Sequence, residues 1–269
     1  MTQASAARQV ESSSLVRLLA RGGYAADGLV HTLVGALVVT LAFGGRGDAD
    51  QAGALRAIAG APLGLVVLWA IAVLLAGLAL YQLLSGILVR SPQGARSAVK
   101  AWGRRISAWG QSVVFAAMGV LAASVAVGAR PNGNRAAEGA SRGALSLPGG
   151  GLVLALVGLG IAIGGVAFVV MGVRRSFVRS MSIPANGLGR FVTGLGVVGY
   201  AAKGVALAVV GSLLLVAAVR ADPAQAGGLD DAFDSLRAVA LGPLLVGVVG
   251  AGFVAYGVFL FFRARFARL

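Results

Sequence analysis

The chain has 269 residues; 58% are hydrophobic, 12% are charged, the formal net charge is +14, and there is one histidine and no cysteine. Soluble domains carry about 25% charged residues, so a water-soluble globule is not the expected class. Without cysteine there is neither a disulfide framework nor a thiolate centre.

The opening residues 1–15 are small and polar and read as a flexible N-terminus. Six apolar runs then follow at 22–43, 63–89, 106–129, 149–173, 191–219 and 241–262. A bilayer core about 30 Å thick takes roughly 20 helical residues, and every run is long enough. The first run exceeds a signal-peptide core and matches the fifth position by position, so a cleaved signal is not expected. The fold class expected is all-α integral membrane, with six transmembrane helices.

The runs form three two-helix repeats, at 16–90, 102–175 and 190–265. Aligning Gly35, Gly119 and Gly211 places Asp27, Gln111 and Lys203 at one equivalent position, eight residues earlier. The first helices align as Gly23-Tyr24-Ala25-Ala26-Asp27-Gly28 with Gly199-Tyr200-Ala201-Ala202-Lys203-Gly204; the middle copy reads Ser107-Ala108-Trp109-Gly110-Gln111-Ser112. An arginine stands six residues before a proline three times: Arg56 with Pro62, Arg142 with Pro148, Arg237 with Pro243. The second helices carry Gly77 with Tyr81, Gly164 with Phe168, and Gly252 with Tyr256. Each repeat crosses the membrane twice, so all three share one orientation, and such repeats are related by an axis along the membrane normal. Between the two spans of each repeat a short interfacial helix is expected, as around Leu229, Phe233 and Leu236, with the prolines near the start of the following span.

These features resemble a mainly actinobacterial family of six-helix membrane proteins built from a thrice-repeated domain of unknown function. The resemblance covers about residues 16–265. It rests on the Gly-Tyr-Ala-Ala-x-Gly openings, on Leu55-Arg56…Pro62 and Leu236-Arg237…Pro243, and on the Gly-x-x-x-Tyr closings. The middle copy departs most: Ala108 replaces the tyrosine, and Gly149-Gly150 follows Pro148. The resemblance implies the six-helix architecture and carries over no activity.

Charge sets the expected orientation. Fifteen basic residues and Glu11 fall on the side that holds both termini; seven basic and seven acidic residues fall on the other. Basic residues are retained on the cytoplasmic side. A multi-pass protein of the inner (plasma) membrane with both termini cytoplasmic follows, in contact with anionic lipid. Nucleic acid is not an expected partner, because no soluble basic domain exists.

Within the spans, Asp27, Gln111 and Lys203 form a polar ring that is expected to meet at the centre, as an Asp27–Lys203 ion pair bridged by Gln111. His31 lies one turn beyond Asp27, and its counterparts Phe115 and Leu207 are apolar. Gly28, Gly35, Gly119, Gly151, Gly158, Gly165, Gly172, Gly204 and Gly211 mark close helix packing. Their first reading is packing within the chain; the second is association of copies through the fourth run. Paired carboxylates, phosphate loops and metal-ligand clusters are missing, so no catalytic residue, metal or cofactor is expected. The function expected is a non-enzymatic scaffold or accessory subunit that packs against lipids or membrane partners. The alternative is a small proton- or ion-coupled transporter using Asp27, His31, Gln111 and Lys203.

Overall fold

The computed structural model describes residues 14–45, 48–89 and 95–268. Arg46 and Arg90, and residues 1–13 of the expected flexible N-terminus, lie outside the described residues. Six long helices fill the chain: α1 (Ser14–Ala42), α3 (Gly64–Leu88), α4 (Ala95–Ala126), α6 (Gly150–Val173), α7 (Gly187–Arg220) and α9 (Gly242–Phe266). All six are long and apolar enough to cross a membrane. One short α-helix lies between the two spans of each repeat: α2 (Gln51–Ala59), α5 (Gly133–Leu145) and α8 (Leu229–Arg237). Large apolar side chains such as Leu65, Val66, Val73, Leu152, Leu156 and Val248 point outward. In water that surface would aggregate; in lipid it is the solvated one, and helices can span there because their backbone bonds are satisfied internally. The chain is a multi-pass membrane protein.

The most extensive packing joins different repeats. α9 lies on α1, α3 on α4, and α6 on α7; within repeats, α1 packs on α3 and α7 on α9. The second helix of each repeat thus seats the first helix of the next, cyclically, which is the pseudo-threefold arrangement. Glycine explains the choice of partner. Lipid tails are as apolar as leucine, so helices associate in a bilayer through close van der Waals contact. A Cβ on Gly35 would meet Gly250 O at 2.7 Å; one on Gly211 would meet Gly158 O at 2.7 Å; one on Gly119 would meet Ala72 O at 3.2 Å. Ala72, Gly158 and Gly250 each follow Gly64, Gly150 and Gly242 by eight residues. Two turns on, Gly28 faces Gly257 O and Gly204 faces Gly165 O, while Ser112 Oγ donates to Ala79 O at 2.8 Å. Gly172 lies against Val197 and Tyr200 of α7, and Gly151 makes only a looser approach to Ala218. The heptad stripe of α6 therefore lies against α7.

The register corrects two sequence alignments. Each even span begins after a residue in the left-handed region: Leu63 (φ 59), Gly149 (φ 73) and Leu241 (φ 61). Each is followed by a glycine pressed on a carbonyl of the short helix, with an added Cβ 2.1 Å from Ile58 O, 1.7 Å from Ala144 O and 2.1 Å from Arg237 O. No side chain fits there. Measured from this junction, Pro62 and Pro148 are equivalent, but Pro243 sits three residues further on, inside the first turn of α9. Arg56 and Arg142 are likewise equivalent, and Asp234 holds the matching place in α8. Arg237 is instead the last residue of its helix, paired with Asp234 at 3.6 Å. The Gly-x-x-x-aromatic closings fall out of register in the same way. The matching positions are Leu78, Gly164 and Tyr256.

The contact circuit is open at one seam. α4 and α6, the two spans of the second repeat, do not pack on each other. Val114 of α4 is 54% exposed, whereas its counterparts Val30 and Ala206 are 0% exposed. Val157 of α6 is 49% exposed, against 3% for Ile71 and 8% for Val249. Leu74 and Leu78 of α3 fill Gly22 and Gly23 of α1, but their α6 counterparts are Gly160 and Gly164, and Gly103 and Gly110 stand across on α4; a Cβ on any of these four glycines meets nothing within 4 Å.

Adjacent glycines of α6 should therefore respond oppositely. Gly165→Leu forces the α6–α7 backbones apart and should cost about 1–3 kcal/mol or more, whereas Gly164→Leu should change stability by no more than about 0.5 kcal/mol. Thermal unfolding of both variants in one detergent checks this; equal losses would contradict the packing register.

Candidate functional site

The polar site within the spans is built by α1, α7 and α9. Asp27 and His31 are one turn apart on α1 and are each 2% exposed. His31 Nδ1 lies 2.9 Å from the Asp27 backbone oxygen and 2.9 Å from its carboxylate Oδ1. Alignment favours the carbonyl, so Oδ1 is held by charge and proximity and accepts no directed hydrogen bond. On the other side of the ring, His31 Nε2 is 2.9 Å from Lys203 Nζ. An ammonium only donates, so Nε2 accepts and the ring proton sits on Nδ1, facing Asp27. The imidazole thereby stands between the Asp27 carboxylate and the Lys203 ammonium, hydrogen-bonded to the backbone oxygen of the one residue and to the Nζ of the other.

Aromatic rings close around this line. Lys203 Nζ stands 4.6 Å from the centre of the Tyr256 ring and 5.5 Å from that of Phe168, both cation–π distances. His31 meets Tyr256 edge-on at 5.0 Å and stacks on Phe253 at 6.0 Å. Towards the end of the span nearer the C-terminus, the Arg263 guanidinium donates to Tyr200 OH at 3.0 Å and covers the Tyr24 ring at 4.6 Å.

Gln111 does not join. Gln82 Nε2 donates to Gln111 Oε1 at 2.7 Å, and Gln111 Nε2 turns back to Ser107 O at 3.2 Å. Its short side chain is captured on its own helix and on α3, whereas the longer Lys203 reaches inward across Tyr256. The expected bridge between Asp27 and Lys203 is therefore His31 and not Gln111. Gln82 went unmarked in the sequence, although it is the only amide in an otherwise apolar span.

A second polar site lies where the short helices meet. Asp50 caps α2 by accepting from Gly53 N at 2.7 Å, and its other oxygen accepts from Gly133 N at the start of α5. Asn134 of α5 accepts from Gly228 N at 3.0 Å and donates to Asp231 at 2.8 Å. Asp230 of α8 stands close to Ala49 and to the Asp50 carboxylate, at the start of α2. Hydrogen bonds thus join the N-terminus of α5 to those of α2 and α8. Arg56 ties it to the spans by donating to Asp48 and to Pro131 O; Arg142 pairs only with Glu138, on its own helix. Burial, followed by the charge of Asp50, pushes the Asp230 carboxyl up to about 7 from 3.8, with Asp48 and Asp231 adding to the rise. Among the described residues, no group of three His, Cys, Asp or Glu side chains is placed to hold a metal ion.

The family described as Domain of Unknown Function (DUF1206) matches residues 22–88, 106–175 and 198–267. The chain belongs to this family. Its three matches coincide with the three structural repeats, and each begins inside the first span of its repeat. No curated protein matches the chain, and no solved structure does.

Two outcomes follow. Asp27→Asn leaves the partly buried Lys203 without a counter-charge and should cost about 1–3 kcal/mol; adding Lys203→Gln should recover more than half of that, whereas strictly additive losses in a double-mutant cycle would remove the coupling. For Asp230, the folded pKa is above the unfolded one, so the folded state holds more protons between about pH 4 and 7 and stability falls as pH rises through that window. Asp230→Asn should raise the melting temperature at pH 8 and leave it nearly unchanged at pH 4.

Proposed function

We propose that the chain is a non-enzymatic membrane scaffold or accessory subunit whose second repeat receives a transmembrane helix of a partner membrane protein. The open seam between α4 and α6 carries this reading. The equivalent faces in repeats one and three are covered by a helix of the same repeat, and in repeat two they are bare. Their small residues, Gly103, Gly110, Gly160 and Gly164, are of the kind that lets helix backbones approach closely in lipid. Basic residues concentrated on the side of the termini support an orientation with both termini in the cytoplasm, in the plasma membrane. Asp27 and His31 are sealed from the surface, and Lys203 is neutralised through them. That supports a structural role for the polar line, fixing how α1, α7 and α9 meet, over a role in transport.

The test is a photo-crosslinking amino acid in place of Val114 or Val157 in native membranes, with Val73 on α3 as a lipid-facing control. Discrete adducts with another polypeptide from positions 114 and 157, and none from 73, are expected. An adduct of twice the chain's mass would make the partner a second copy. Reaction with lipid alone at all three positions would contradict the proposal.

A further inference from the structure

The linker between α6 and α7 is a fixed platform on the basic side of the bundle. Residues Ser176–Ser180 form a 3-10 helix, and Phe177 is buried and stacks on Tyr200 at 5.1 Å. The platform is strapped to the end of α9: Ser182 N donates to Phe266 O at 2.8 Å, Arg268 N donates to Ser180 O at 3.0 Å, and Met181 bridges Ala267. Arg175 begins it in the left-handed region (φ 53), a conformation that a non-glycine residue holds at a cost.

Between this platform and α7 lies a cavity of about 820 Å³, lined by Arg175 and Arg190 at its polar end and by Gly194, Val197 and Val198 at its apolar end. Neither arginine forms an ion pair with a described carboxylate. Segments 174–190 and 263–269 contain no acidic residue at all. Among the described residues, the two cations thus share a pocket without a paired carboxylate. Gly194 makes the opening: an added Cβ there meets nothing within 4 Å, and the same position in the other repeats is filled by Leu18 and Trp102. Further along the same stripe of α7, an apolar groove of about 300 Å³ runs between α6 and α7, lined by Val169, Val205 and Ala208 among others.

A charged end at the basic face and an apolar path along two spans is the shape of one amphiphile. We infer that this cavity binds an anionic phospholipid, with the phosphate held by Arg175 and Arg190 and an acyl chain lying along α7 past Gly194. Arginine is suited to this because its planar fork donates two parallel hydrogen bonds to phosphate oxygens. The site is peculiar to the third repeat, since Arg190 and Gly194 have no counterparts in the other two. It is independent of the α4–α6 seam, which lies on another face of the bundle, so either idea can fail alone.

The experiment is lipid binding to the full chain in detergent, read by native mass spectrometry. Phosphatidylglycerol, phosphatidylcholine and glycerol 3-phosphate are compared on the parent and three variants. Phosphatidylglycerol should bind at least about tenfold more tightly than phosphatidylcholine, and the Arg175→Gln/Arg190→Gln double variant should lose that preference. Lys100→Gln/Arg104→Gln, on the same basic face, should keep it. Gly194→Leu should weaken both lipids by a similar factor, because it blocks the chain path and spares the phosphate end. Three results would each overturn the site: an unchanged preference in the Arg175/Arg190 variant, an equal loss in the Lys100/Arg104 control, or binding of glycerol 3-phosphate as tight as that of the lipid.

Discussion

Contact between helix backbones at Gly35, Gly119 and Gly211 is the constraint on which the rest of the structure depends. Water does not drive these helices together, so their order is set by where backbones can approach without a side chain between them. Those glycines sit on Gly250, Ala72 and Gly158, and so bind each repeat to the one before it. Once α9 is locked to α1, Tyr256 stands beside His31, and once α7 packs on α9, Lys203 reaches the same point. The polar line from Asp27 to Lys203 is thus a consequence of glycine placement, and in return it gives the crossing of three helices a directional, charge-linked contact.

The short helices hold together where the spans beneath them do not. The short helices are joined through Asp50 and Asn134, which tie α5 to α2 and to α8. Beneath them the ring of spans is open between α4 and α6, where glycine stands in place of leucine. The second repeat is thus tied to its neighbours through α3 and α7 while its own two helices stand apart. An even distribution of packing would suit a self-contained bundle; this one concentrates its unsatisfied faces in a single repeat.

Much of this was legible in the sequence, because it depends on local pattern. Run length gave the six spans, and glycine at seven-residue spacing gave the close contacts. In three dimensions Asp27, His31 and Lys203 stand together, and Gln111 turns away to Gln82. What was not legible depends on which helices become neighbours. His31 had no repeat counterpart, so nothing marked it as the link to Lys203, and Gln111 could not be seen to prefer Gln82. The arginine–proline spacing misled because six residues recur by chance across a junction whose true marker is a left-handed residue followed by glycine. Gly160 and Gly164 were visible as glycines lying off the heptad stripe of α6, opposite Leu74 and Leu78 in the first repeat; that contrast was the available sign of an open seam.

The most direct measurement is a cryo-electron-microscopy map of the chain in a lipid nanodisc, with a bound antibody fragment to aid alignment. The account predicts backbone contact between α9 and α1, α3 and α4, and α6 and α7, with α4 held away from α6. A map in which α4 packs on α6 while Gly35 and Gly211 face lipid would contradict it.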